Sequence, residues 1–141
     1  MSTAVVLLGH GSRAPEAQQY FLELAEAVRE PSGCSLVEAA FLELCGPSFA
    51  ETVARCAAQG VQRVIVLPVF LHPGRHLQRD VPRLVAAARA AHPNVEVVLA
   101  PHLGAHPELT PLLADLVRRA LALTADAALP LDAAVARPSG G

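Results

Sequence analysis

The run Arg63-Val64-Ile65-Val66-Leu67-Pro68-Val69-Phe70-Leu71 is the strongest strand signal in the chain. It is continuously apolar and rich in β-branched residues, the pattern of a strand buried on both faces of a parallel sheet. Pro68 lies inside it and cannot donate to a ladder, so the regular pairing is expected to end about there. On its N-terminal side, residues 48–59 read as a helix that stops at Gly60. Before that helix, residues 35–42 form a second strand candidate, followed by Glu43 and the breaker pair Gly46-Pro47. Further back, residues 15–29 place Phe21, Leu22, Leu24, Ala25 and Val28 on one helical face, with Pro15 in the first turn and Pro31 and Gly33 closing the helix. Ala4 to Leu8 opens the chain with another short apolar run, ending at Gly9-His10-Gly11-Ser12. On the C-terminal side, residues 72–80 read as a loop. Asp80 is placed to cap a helix that has Pro82 in its first turn and runs to about residue 91. Residues 95–99 form a fourth strand, and Pro107 or Pro111 opens a last helix ending near residue 123.

Strand and helix thus alternate four times with short connections. That order predicts an α/β domain over residues 1–123: a four-stranded parallel sheet with helices on both faces, close to a flavodoxin-like half. Residues 124–141 are rich in Ala, Pro and Gly without a period and are expected to be a poorly ordered tail.

Composition removes several function classes. The chain has 141 residues, 52% of them hydrophobic, and a formal net charge of −2. It has no basic excess, so neither a nucleic acid nor an anionic membrane is the expected partner. All 11 basic residues are arginine, which removes Schiff-base and P-loop lysine chemistry. Four Phe, one Tyr and no Trp leave little for base stacking. No window offers a membrane span, no basic n-region precedes the first apolar run, and a cytoplasmic location is expected. The three cysteines, Cys34, Cys45 and Cys56, match no metal motif and read as small packing residues.

Open parallel sheets bind ligands beyond the carboxyl ends of their strands. Five of the six histidines fall in loops at that edge: His10, His72, His76, His102 and His106. His92 precedes the fourth strand and belongs to the other end. His10 lies between two glycines, where the backbone can approach a ligand and the imidazole can ligate a metal or move a proton. The alternatives there are a turn histidine bonded to backbone and an anion nest over residues 9–13, the latter without the lysine and spacing of a P-loop. His76 follows Gly74-Arg75 and ranks above His72, four residues earlier, since Pro73-Gly74 argues against a shared helical face. Glu43 has apolar neighbours, so partial desolvation would suit it to proton exchange; the alternative is an ion pair with a loop arginine. Arg13, Arg75 and Arg79 share the edge and can fork onto carboxylates. Asp80 reads as a helix cap, and His102 and His106 as the rim of a cleft.

Four segments in order carry a resemblance: Leu8-Gly9-His10-Gly11-Ser12-Arg13, Phe41-Leu42-Glu43 with Pro47, Pro68 to Leu71 followed by Gly74-Arg75-His76 and Asp80-Val81-Pro82, and Leu103-Gly104-Ala105-His106-Pro107. Together, across about residues 4–122, they resemble the small class II chelatases of the CbiX/SirB type, which insert Co²⁺ or Fe²⁺ into sirohydrochlorin. The resemblance implies a chelatase half-domain in which His10 and His76 hold the metal and Glu43 assists. It also implies a short form that pairs as a homodimer to complete its cleft. His72, Pro73 and His102 depart from the family pattern. The histidine-rich loop of many nickel-inserting relatives is missing, which lowers nickel.

The mechanism expected on this basis has His10, Glu43 and His76 as catalytic residues, with a divalent ion (Co²⁺ first, then Fe²⁺) as substrate and no tightly bound cofactor. Imidazole suits such ions. Ser12, Arg13, Phe70, Leu71, Gly74, Arg75 and Arg79 are the candidates for holding the tetrapyrrole. A histidine-phosphate phosphatase is disfavoured because Gly9, not arginine, precedes His10. A receiver domain would need an acidic cluster and a lysine that this chain lacks. A non-enzymatic metal carrier on the same loops stays open.

Overall fold

Four parallel strands, β1 (Thr3–Gly9), β2 (Val37–Phe41), β3 (Arg63–Pro68) and β4 (Glu96–Leu99), form one sheet in the order β2-β1-β3-β4. The computed structural model describes residues 2–125 together with Val135 and Ala136. The expectation of a poorly ordered tail therefore lies mostly outside the described residues. β3 ends at Pro68, where the missing N–H was expected to stop the ladder. Alternate residues of β1 and β3 (Ala4, Val6, Leu8; Val64, Val66) are buried in the larger core with Val97 of β4.

Helices α1 (Pro15–Ser32), α2 (Phe49–Ala58), α3 (Val81–Ala91) and α4 (Leu109–Leu121) connect and follow the strands. α2 and α3 cover one face through Phe49, Val53, Cys56, Val81 and Val85. α1 covers the β1–β2 half of the other face through Phe21, Ala25 and Val28, against Leu7, Val37 and Ala39. The winding of the sheet reverses across the parallel β1/β3 pair: β1 feeds β2 on one side, and β3 feeds β4 on the other. Such a switch point opens a crevice at the carboxyl ends of the two strands, and His10 and His76 follow those two strands.

The helix boundaries show where local signals were sufficient. Ser48 caps α2 with a full capping box: its hydroxyl accepts from Glu51 N–H, and the Glu51 carboxylate accepts from Ser48 N–H. α1 runs through Pro31 and stops at Gly33, whose left-handed backbone (φ 72°) closes the last turn. Asp80 is not the cap expected of it. Its backbone is already helical, its side chain makes no capping hydrogen bond, and a π-helical turn (His76–Asp80) precedes α3. Gln78 starts that turn early: its N–H donates to the Gly74 carbonyl and its side-chain amide to the Pro73 carbonyl. The loop expected over residues 72–80 is thus helical in its second half.

The cysteines divide by position. Cys56 is buried in the α2 core, Cys34 and Cys45 are partly exposed, and all three are free thiols. Cys45 stands in the loop after β2 and is not the packing residue expected. Burial pushes the Cys56 thiol above its ordinary value of 9.0, with Glu38 adding to the shift and Arg55 opposing it. The folded chain therefore keeps a proton that the unfolded chain loses. This contribution to stability is full below pH about 9 and declines as pH rises beyond it. Since the thiolate is the reactive form, an alkylating reagent at pH 8 is expected to modify Cys34 and Cys45 and to spare Cys56 until the chain unfolds. Mass spectrometry after timed labelling checks this; labelling of Cys56 at the rate of the other two would contradict it.

Candidate metal-handling site

The pairing of β1 with β2 continues beyond both strands and builds the site. Gly9 stands opposite Phe41 in the ladder. Leu42 N–H then donates to the Gly9 carbonyl at 2.9 Å, and Glu43 N–H to the His10 carbonyl at 3.1 Å. Parallel register thus carries Glu43 alongside His10, and the side chains meet: His10 Nε2 lies 3.4 Å from Glu43 Oε1. The imidazole is 42% exposed and the carboxylate 51%. The pair is open to an incoming ion: Phe41 is buried in the fold while the Glu43 side chain is half exposed. Glu43 pairs with His10, not with a loop arginine.

Gly11 makes this closeness possible. Its φ is 107°, and a Cβ there would run into the Glu43 carbonyl. The 43–47 loop is held by several short bonds. Cys45 N–H donates to the Glu43 carbonyl (2.9 Å), Phe41 N–H to the Pro47 carbonyl (3.0 Å), and the Gln18 side-chain amide to the Gly46 carbonyl (2.6 Å). Gly46-Pro47 is cis. Gln18 is a positioning residue the sequence did not reveal, because its target lies 28 residues away and only the fold brings them together.

After β3, Val69 N–H donates to the Leu8 carbonyl, so the two site-bearing loops leave the sheet side by side. Phe70 is half-buried and Leu71 is 61% exposed, an apolar shelf beyond the strand ends. Gly74, Arg75 and Arg79 are exposed, as is Arg13 on the β1 side. A Cβ at Gly74 would meet open space. His76 is the first residue of the π-helical turn. The Ser12 hydroxyl accepts from Ala14 N–H at 3.0 Å, a local bond at the entry to α1. His106 also acts locally: its Nδ1 accepts from Glu108 N–H at 3.0 Å. His72 is exposed and His102 half-buried. Among the described residues no three His, Cys, Asp or Glu side chains converge as a metal cage.

The site is thus a histidine–carboxylate pair at the open switch-point edge of a parallel α/β half-domain. The CbiX family profile matches residues 4–120, and the chain belongs to that family. It is 36% identical to the sirohydrochlorin cobaltochelatase of Methanopyrus kandleri, over 84% of this chain and 96% of that one. It is 33% identical to the chloroplastic sirohydrochlorin ferrochelatase of Arabidopsis thaliana, over 83% of this chain and 52% of that one. Among solved structures it superposes on a CbiX protein from Marinobacter aquaeolei with a TM-score of 0.71 at 36% identity, covering 84% and 97% of the two chains. The SirB chelatase of Bacillus subtilis in complex with cobalt gives a TM-score of 0.72 at 28% identity, covering 84% of this chain but 51% of that one. The chain thus spans nearly the whole of some relatives and about half of others.

Proposed function

We propose that this protein inserts a divalent metal ion, Co²⁺ first and Fe²⁺ next, into sirohydrochlorin. The observation that carries the reading is the His10–Glu43 pair, 3.4 Å apart and open to solvent on the switch-point edge, in a chain whose relatives bear the names of sirohydrochlorin chelatases. Insertion exchanges two pyrrole protons for one M²⁺. The site must therefore bring a metal, accept protons and let the metal leave. His10, with His76 from the neighbouring loop, supplies imidazole ligands for an ion of borderline softness. Two ligands leave most of the coordination shell free for the macrocycle nitrogens, as a transfer site requires. Glu43 offers its carboxylate to accept one of the two pyrrole protons, and water takes the other. Phe70 and Leu71 offer the flat apolar surface for the macrocycle. Arg13, Arg75 and Arg79 meet its peripheral carboxylates.

Two copies complete the cleft in this reading, since one half-domain covers a flat ring from one side only. The protein acts in the cytoplasm, where its thiols stay reduced, with the metal as substrate and no resident cofactor. No helix of the described residues is long and apolar enough to cross a membrane.

The direct test is incubation of the protein with sirohydrochlorin and Co²⁺, Fe²⁺ or Ni²⁺ in turn, following the tetrapyrrole absorbance. A rate no higher than the protein-free control for all three ions would sink the reading and leave a metal carrier in its place. Within the site, Glu43→Gln is expected to lower kcat by about 10²–10⁴, the usual worth of a positioned proton acceptor. Co²⁺ binding by titration should be weakened far less. Equal losses in both would make Glu43 a ligand and not a base.

A further inference from the structure

Leu44 holds a backbone conformation that leucine rarely adopts. Its φ is 71°, and among the described residues it is the one residue other than glycine with a positive φ. Across it, Cys45 N–H donates to the Glu43 carbonyl at 2.9 Å. Residues 43–45 therefore close a γ-turn of the positive-φ kind, which is rare and strained. The loop is fastened on both sides of the turn, so the strain cannot relax. Glu43 N–H donates to the His10 carbonyl at 3.1 Å, and Phe41 N–H to the Pro47 carbonyl at 3.0 Å. The Gln18 side-chain amide donates to the Gly46 carbonyl at 2.6 Å.

Glycine would make the same turn without the penalty that a Cβ brings. The leucine side chain is thus what the position retains, and it does not serve the core. Leu44 is 49% exposed and belongs to neither core cluster. A non-glycine residue kept under backbone strain at a site edge points to a function for its side chain.

The sheet order says what that function touches. β1 runs between β2 and β3, so the loop after β2 lies on one side of His10 and the loop after β3 on the other. Leu44 belongs to the first loop. Leu71, 61% exposed, belongs to the second. The two parent strands stand two strand spacings apart, about 10 Å. A ligand that touches both leucines while its centre faces the His10–Glu43 pair is broad, flat and apolar across its face.

We propose that Leu44 is a substrate-contact residue: its strained turn presents the isobutyl group to the tetrapyrrole beside Glu43, across the site from Phe70 and Leu71. This rests on the sirohydrochlorin reading above and adds a second apolar wall to it. Leu44 and Glu43 are neighbours in one well-bonded turn. A macrocycle seated on Leu44 therefore meets the Glu43 carboxylate in a fixed relation. A side chain held in place before binding also loses little freedom when the ligand arrives.

Leu44→Gly separates the backbone from the side chain. Glycine takes a positive φ without strain, so this variant should melt at or above the wild-type temperature. It should bind metal-free sirohydrochlorin about tenfold more weakly, the worth of one apolar side chain against a ligand face. KM for sirohydrochlorin should rise by the same factor, with kcat and the Kd for Co²⁺ unchanged. Leu44→Asn, whose side chain is also tolerated at positive φ, should repeat the result. Leu44→Met keeps an apolar side chain and should retain wild-type affinity. Binding is followed by fluorescence titration of the tetrapyrrole, and stability by thermal melts of the same preparations. Wild-type affinity in both the glycine and the asparagine variant overturns the contact while leaving the chelatase reading intact. A glycine variant that melts well below the wild type makes Leu44 a packing residue and also overturns it. A wild-type protein that neither binds nor metallates sirohydrochlorin overturns both.

Discussion

Replacing His10 with alanine is expected to abolish metal insertion and leave the fold standing. The imidazole lies at the end of β1, is 42% exposed, and pairs with Glu43 Oε1 at 3.4 Å. It takes no part in either core cluster, so its loss should change stability by no more than about 0.5 kcal/mol, as for an ordinary surface substitution. Activity is different, because the substitution removes a metal ligand and the imidazole that pairs with Glu43 together. A fall of at least about 10³ in kcat/KM is expected, some 4 kcal/mol of transition-state stabilisation. The measurement is the initial rate of sirohydrochlorin metallation with Co²⁺, beside a thermal melt of the same preparation. A variant retaining a tenth of the wild-type rate would remove His10 from the mechanism. A variant that melts far below the wild type would make it a structural residue.

The second large effect is expected at Gly11, whose side chain is a single hydrogen. Its φ of 107° is outside the range that other residues hold comfortably, and a Cβ there collides with the Glu43 carbonyl. Gly11→Ala therefore costs in two ways. Backbone strain contributes about 1–3 kcal/mol, and the collision is relieved only by moving the backbone that carries Glu43. The expected result is a total destabilisation of about 2–4 kcal/mol together with loss of insertion activity, since the His10–Glu43 contact cannot survive the shift. Gly74→Ala is the control: it lies on the same edge, yet its Cβ meets open space and should leave the melting temperature unchanged. Denaturant melts of the three proteins decide the matter. A Gly11→Ala protein as stable as the Gly74→Ala protein would show that the close approach of the two loops is not needed.

Most of the architecture was legible because the signals for it are local. A β-branched run, a proline at its end and a glycine after a helix are each read by the chain over a few neighbours. They placed β3 and its end at Pro68, a helix over residues 48–59 stopping at Gly60, and the sheet edge where His10 and His76 stand. The failures were of another kind. Asp80 looked like a cap, but Gln78 had already begun the turn by reaching back to Pro73 and Gly74. By contrast, His106 does line a hollow beside Leu67 and Val69, and its Nδ1 also accepts from the Glu108 N–H. Cys45 looked like core, but it sits in a loop bent by its own hydrogen bonds.

By itself, then, the amino-acid order determined the alternation of strands and helices, the parallel sheet that follows from it, and which loops share the carboxyl edge. Only the tertiary structure decided that Glu43 meets His10, that Gly11 must lack a side chain for it to do so, and that Leu44 is held at positive φ beside them. The physical reason is range. Secondary structure is set by periodicity and capping among residues within about one helical turn of each other. Strand register, loop apposition and helix docking depend on contacts between residues tens of positions apart, and nothing in either segment alone encodes them.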